Sequence, residues 1–199
     1  MAYLKVVITG PFNAGKTSFI RTVNEIRGVN TDVNTDSGRH VKERTTVAMD
    51  FGRVTLSDGT ALHLFGTPGQ KRFAFLWEML IVECSGILLL VDSQDQHSLA
   101  DAVRMVDFFT DRANGVPIFV IANKQDLAGA LPPQEVARRM DLVGPHQAGR
   151  AVAILPPPGC VAEDPGSVMS ILEAVAPICW LEQLKHPARV QRPEAGHRS

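Results

Sequence analysis

Cysteine is scarce in this chain: Cys84, Cys160 and Cys179 are the only three among 199 residues. An odd count without metal-like spacing argues against a disulfide framework, and the six histidines are scattered. An excess of either charge is missing too. The net charge of −1 leaves no electrostatic case for nucleic acid as a partner. No apolar run approaches the ~18 residues that a membrane span requires. Ala2 stands where myristoylation needs glycine, and the terminal Gly196-His197-Arg198-Ser199 is not a prenylation box, so no direct membrane anchor is expected. The N-terminus moves directly into a strand-like run, so no signal peptide is expected either. A reduced, cytoplasmic, unanchored protein is the default these absences leave.

What is present is concentrated in a few motifs. Gly10 to Thr17 reads GPFNAGKT, between the apolar run Tyr3–Thr9 and a helix-like stretch from Ser18 to Ile26. This is G-x-x-x-x-G-K-[ST] in the strand–loop–helix context of a phosphate-binding loop. Its glycines let the backbone curl so that successive N–H groups of Asn13, Ala14, Gly15 and Ser18 face a diphosphate. The following helix adds its positive end. Lys16 is placed to reach the β- and γ-phosphates, and the Thr17 hydroxyl to reach Mg²⁺. The pattern predicts a nucleoside di- or triphosphate ligand.

The rest of the chain supplies the scaffold for such a loop. Apolar segments at Leu4–Thr9, Ala61–Phe65, Gly86–Val91, Pro117–Ala122 and Ala151–Leu155 read as buried strands. Thr46–Leu56 alternates and runs into the turn Ser57-Asp58-Gly59-Thr60, so it is expected to pair antiparallel with Ala61–Phe65. Helical periods occupy Thr17–Arg27, Phe73–Cys84, Ser98–Arg112, Pro133–Met140 and Ser167–Leu184. Strands alternating with helices predict an α/β fold, with a mostly parallel sheet of about six strands, one of them antiparallel, and helices on both faces. Residues 1–185 read as one domain. The polar Gly28–Arg44 stretch is long enough to be functional or disordered, and the Pro-, Arg- and Gly-rich residues 186–199 read as a disordered tail.

Asn123-Lys124-Gln125-Asp126 directly follows the apolar run Ile118–Ala122. A carboxylate fixed there accepts two N–H bonds from N1 and the 2-amino group of guanine. Adenine offers no such pair of donors and would leave Asp126 unpaired. The Lys124 stem can lie over the base while Asn123 ties the loop to its neighbours.

With both motifs in one domain, the chain resembles a Ras-like small GTPase over most of residues 3–184, a G domain of the P-loop NTPase class. Thr45–Gly52 and Leu64–Gln70 are similar to a bacterial branch that includes MglA-type and conservon-type GTPases. The resemblance implies GTP or GDP as ligand, Mg²⁺ as cofactor and a roadblock/LC7-fold protein as partner. It further implies that Gly28–Arg44 and the threonine after it form a first switch. There Thr46 gives Mg²⁺ a hydroxyl when a γ-phosphate is present, with Thr45 the rival by one place. Thr67–Phe73 is similarly a second switch, in which the Gly69 N–H meets the γ-phosphate and Gln70 orients the attacking water. Arg44 stands where polarity GTPases of this branch carry an internal arginine finger. A solvated loop charge is its other reading, and Arg72 has a similar claim. Ala162, in the loop after the last strand, is the candidate for the remaining base contact.

The chain departs from the family pattern in two places. Gly66 occupies the position where related proteins carry an aspartate that supports the Mg²⁺ shell, so Mg²⁺ is expected to bind weakly, with nucleotide exchange unusually sensitive to it. Asp50 and Asp92 are the nearby carboxylates; Asp50 reads as an exposed strand residue, Asp92 as a strand-end cap, and neither is assigned to the metal. Phe12 and Asn13 replace small residues of the phosphate loop. Asn13 tolerates a left-handed backbone, whereas Phe12 can crowd the γ-phosphate and suggests slow hydrolysis. The expectation is a GTP-binding switch with slow, partner-stimulated GTP hydrolysis; the alternative is a non-hydrolysing guanine-nucleotide scaffold. Trp77, Phe73 and Phe75 follow Gln70, and one exposed aromatic among them would be a partner anchor.

Overall fold

The computed structural model describes residues 3–26, 49–69, 74–142, 152–154 and 159–185. The whole Gly28–Arg44 stretch, Thr45, Thr46, Gln70, Arg72, Phe73, the triple-proline run and the tail lie outside them.

The elements follow the order β1 (Tyr3–Thr9), α1 (Lys16–Val23), β2 (Phe51–Thr55), β3 (Ala61–Gly66), α2 (Ala74–Ile81), β4 (Gly86–Asp92), α3 (Ser98–Arg112), β5 (Ile118–Asn123), α4 (Pro133–Arg139), β6 (Val152–Ile154) and α5 (Pro165–Lys185). Their strands form one six-stranded sheet in the order β2-β3-β1-β4-β5-β6. The β2–β3 pair is antiparallel and the other pairs are parallel. Composition explains the positions. The continuous apolar runs of β4 and β5 are buried at every residue, as central parallel strands must be. Edge strand β2 alternates instead, with Val54 buried and its neighbours Arg53 and Thr55 exposed.

Side-chain alternation along the strands divides the core between the two faces. Leu4, Val6, Ile8, Leu88 and Leu90 pack with Phe19 of α1 and with Val168, Ile171, Leu172 and Val175 of α5. Val7, Ile87, Leu89 and Val91 pack on the other face, with Trp77 of α2, Phe109 of α3 and Val136 of α4. Thus β1 leads to α1 on one face, while its neighbours β3 and β4 lead to α2 and α3 on the other. Such a divergence opens a crevice at the carboxyl end of β1, where ligands of open α/β sheets sit.

Several boundaries differ from the sequence expectation. β2 starts at Phe51, so Met49 and Asp50 lie before the strand rather than inside it. α5 starts at Pro165, two places before Ser167. The Asp164 carboxylate accepts from the Ser167 N–H at 2.6 Å, and a proline in the first turn loses no hydrogen bond there. α5 is also long and apolar enough, by length and composition, to cross a membrane, which the sequence reading did not anticipate. Its Val168, Leu172, Val175 and Cys179 are fully buried against the sheet, whereas Ile178, Trp180, Leu181 and Leu184 are exposed.

Candidate nucleotide-binding cleft

β1 ends at Thr9, and the chain turns through Gly10–Gly15 before α1 begins. Gly10 has φ +141°, and a Cβ there would come within 2.1 Å of the Leu90 carbonyl oxygen. Gly15 has φ +93°, and a Cβ there would meet the Asn123 Nδ2 at 2.3 Å. Asn13 lies between them at φ 63°, the left-handed conformation expected of it. These turns curl the loop around the crevice. The loop lines a cavity of about 350 Å³ together with Thr17, Ser18, Asp50 and the Gly66–Gly69 segment.

Lys16 begins α1 and turns its side chain back over the loop. Its Nζ donates to the Gly10 carbonyl at 2.8 Å and to the Pro11 carbonyl at 2.7 Å. The residue is buried, and burial pulls its pKa from the ordinary 10.5 down to about 8, with the nearby Asp50 charge opposing the shift. Gly69 lies close enough that a Cβ on it would stand 2.8 Å from Lys16 Nζ and 3.0 Å from the Phe12 backbone. The Phe12 side chain is 73% exposed at the cavity mouth.

The low pKa has a consequence with a definite sign. Because the folded value lies below the unfolded one, the unfolded chain holds more protons between about pH 8 and 10.5, and this group's contribution to stability rises with pH there. Phosphate binding favours the ammonium and therefore runs the other way. Affinity for a diphosphate is expected to fall as pH rises through about 8, with proton uptake on binding above it. Calorimetry in buffers of different ionisation enthalpy reads that uptake; equal proton uptake at pH 7 and pH 9 would contradict it.

A second cavity, of about 200 Å³, shares Gly15 and Ser18 with the first and is completed by Asn123, Lys124, Asp126, Leu127 and Val161–Glu163. Asn123 is buried at the end of β5 and joins segments from three parts of the chain. Its Nδ2 donates to the Ala14 carbonyl at 2.9 Å, and its Oδ1 accepts from the Ala162 N–H at 2.9 Å. The Asn123–Cys160 bridge extends β5 into the 160s loop, and the Cys160 N–H donates to the Ala122 carbonyl at 2.7 Å. Cys160 is buried and its thiol is pushed up to about 12 by that burial, in keeping with a packing role. Lys124 adopts φ 64°, and its Nζ pairs with Asp92 Oδ2 at 2.6 Å. The other Asp92 oxygen accepts from the Gln94 N–H at 3.0 Å, so Asp92 caps the end of β4 as expected and also fixes the lysine. Asp126 is exposed at the lip of this cavity.

The structure therefore brings Asn13, Ala14, Gly15, Lys16, Thr17, Ser18 and Gly69 to one cavity, and Asn123, Lys124, Asp126 and Ala162 to the adjoining one. Thr46, Gln70 and Arg44 lie outside the described residues. One expectation is corrected. Asp50 is not an exposed strand residue: it is half-buried, precedes β2, and its Oδ2 accepts from the Thr17 hydroxyl at 2.5 Å. Sequence reasoning also passed over Glu163, whose carboxylate accepts from the Ser18 hydroxyl at 3.4 Å, and over Thr22, whose hydroxyl donates to the Ala162 carbonyl at 2.7 Å. The donors around Thr17 and Asp50 are hydroxyl and carboxylate oxygens, the hard ligands that suit Mg²⁺ beside a phosphate.

A phosphate loop after the first strand, a second loop after β5 and a joined pair of cavities at a topological switch define a nucleotide-binding α/β protein of the phosphate-loop class. A family model described as the ADP-ribosylation factor family matches residues 2–162. The chain belongs to that family of small GTPases. It is similar to ADP-ribosylation factor-like protein 3 of Chlamydomonas reinhardtii, with 29% identity over 69% of this chain and 72% of that one. ADP-ribosylation factor-related protein 1 of Bos taurus is 31% identical over 63% of this chain, and the match spans only 61% of its own length. ADP-ribosylation factor-like protein 4C of Homo sapiens is 31% identical over 70% of this chain and 69% of that one. Among solved structures, the Arl6 BBS3 small GTPase from Trypanosoma brucei, with the bound nucleotide analogue GppNp, shares the fold. Its TM-score is 0.68 at 22% identity, covering 90% of this chain and 98% of that one. These relatives are eukaryotic, so a place in a bacterial branch rests on the resemblance of Thr45–Gly52 and Leu64–Gln70 alone.

Proposed function

We propose that this chain is a GTP-binding switch that hydrolyses GTP slowly and acts through a protein partner. The observation that carries the reading is the joined cleft, in which Lys16 and the phosphate loop line one cavity and Asp126 the other. Lys16 holds the phosphates, Asp126 selects guanine through its N1 and 2-amino donors, and Ala162 forms part of the wall against the base. Mg²⁺ would be held by the Thr17 hydroxyl, and by that of Thr46 in the triphosphate state; it would neutralise charge on the phosphates. Gln70 places the water, and Arg44 is the candidate internal finger; both roles come from the family resemblance. Phe12 at the cavity mouth supports slow intrinsic turnover, because an aromatic ring there narrows the approach to the terminal phosphate.

An exposed face of α2 supports the partner. Phe75, Met79 and Val82 fall at i, i+4 and i+7, and all three stand in solvent, 59%, 66% and 59% exposed. Phe75 is thus the exposed aromatic of the helix, whereas Trp77 is buried and donates its indole N–H to the Pro68 carbonyl at 3.2 Å. The roadblock/LC7-fold identity of that partner is proposed from the resemblance to the bacterial branch.

The test is affinity for GDP, GTP and ATP, with and without Mg²⁺, beside Asp126→Asn. Guanine is expected to be preferred by on the order of 10³-fold or more, because the wrong base leaves a carboxylate unpaired, and the variant is expected to lose that preference. Equal affinity for ATP and GTP would sink the reading. Single-turnover hydrolysis with and without a roadblock protein then tests the slow, stimulated character.

A further inference from the structure

We propose that Asp50 is the acidic residue of the divalent-cation site, supplying from the position just before β2 the carboxylate that Gly66 cannot. The proposal rests on the nucleotide reading above. Its first support is direct contact: Thr17 donates its hydroxyl proton to Asp50 Oδ2 at 2.5 Å. A threonine whose proton is committed in this way keeps its oxygen lone pairs for a cation. The second carboxylate oxygen would accept from the waters that Mg²⁺ retains beside a diphosphate.

The sheet register gives the second support. Phe51 pairs with Phe65, so Asp50 and Gly66 stand directly opposite one another, and the Gly66 N–H donates to the Asp50 carbonyl at 2.7 Å. A Cβ on Gly66 would come within 2.9 Å of the Asp50 Cβ and 2.9 Å of Ile20 Cδ1. Real side chains do not approach that closely, so a side chain at position 66 would displace the one at position 50. The acid is transposed across the β2–β3 pair rather than lost.

The remaining carboxylates do not compete. Asp50 is the only one lining the phosphate-loop cavity among the described residues. Asp92 has its oxygens engaged by Lys124 and the Gln94 N–H, toward the other cavity. On this proposal the dependence of nucleotide retention on Mg²⁺ runs through Asp50.

Dissociation of a fluorescent GDP analogue from the full chain, in millimolar Mg²⁺ and in EDTA, tests this. The wild-type chain is expected to release GDP faster in EDTA, and Asp50→Asn to need about 10–100-fold more Mg²⁺ to slow release, the usual cost of losing a group that orients a metal's shell. Asp50→Gly combined with Gly66→Asp returns a carboxylate to the shared space and is expected to restore the Mg²⁺ response. A full Mg²⁺ response in Asp50→Asn, or none in the wild type, would overturn the proposal. An unrestored double variant that binds GDP in EDTA would also count against it. A wild-type chain that binds no GDP in either buffer would remove the nucleotide reading, and this proposal with it.

Discussion

Replacing Gly15 by alanine is expected to lower the melting temperature by on the order of 10–20 °C and to abolish tight nucleotide binding. Alanine at φ +93° carries a backbone cost of about 1–2 kcal/mol. Its Cβ would also stand 2.3 Å from Asn123 Nδ2, so the buried amide must turn away and surrender its bonds to Ala14 and Ala162. Each buried partner left unpaired costs about 1–3 kcal/mol. In a domain of this size each kcal/mol moves Tm by about 2–4 °C. Gly59→Ala is the control, since Gly59 has φ +84° with nothing within 4 Å of a Cβ. It carries the backbone cost alone, and the difference between the two melts isolates the Asn123 contact. Equal melts for both variants would show that Asn123 yields without loss.

Lys16→Met is expected to separate binding from folding. Two charge-assisted bonds to phosphate at about 1.5–3 kcal/mol each amount to a loss of about 10²–10⁴-fold in di- or triphosphate affinity. The melt without ligand is expected to move by only a few degrees. The substitution removes a buried ammonium whose desolvation already drags its pKa to about 8, and this offsets the lost bonds to the Gly10 and Pro11 carbonyls. Titration calorimetry and a thermal melt on the same preparation read both quantities. Unchanged affinity would remove Lys16 from the site.

Much of this architecture was legible in order along the chain. The runs of β4 and β5 are apolar at nearly every position, and α3 was placed at Ser98–Arg112, where it lies, because its apolar residues repeat at helical spacing. The phosphate loop and Asn123–Asp126 declare themselves because each is local: a few adjacent residues with a fixed backbone need. The missed features are non-local. Asp50 is far from Gly66 and Thr17 in sequence, and only the antiparallel register of β2 on β3 sets the three together. Asn123 ties its loop to its neighbours as expected, but its partners, a carbonyl 109 residues away and an amide 39 residues away, lie in no short window. The early start of α5 was missed for a smaller reason. Asp164 and Pro165 are a helix-opening pair, but they follow Pro156–Pro158 so closely that the local composition reads as loop.

The division of the core between the two faces of the sheet bears on how the chain is made. A ribosome delivers residues in order, and domains fold as their parts emerge. The face carrying Val7, Leu89 and Val91 has its helices α2, α3 and α4 in hand by Arg139. The opposite face, with Leu4, Val6, Ile8 and Leu88, waits for α5, whose packing residues run from Val168 to Cys179. Until then α1 covers it alone. A nascent chain, or one cut short before α5, thus shows a broad apolar sheet face to its surroundings. It is that half-covered intermediate which a chaperone would hold, and which a premature stop codon would leave to aggregate.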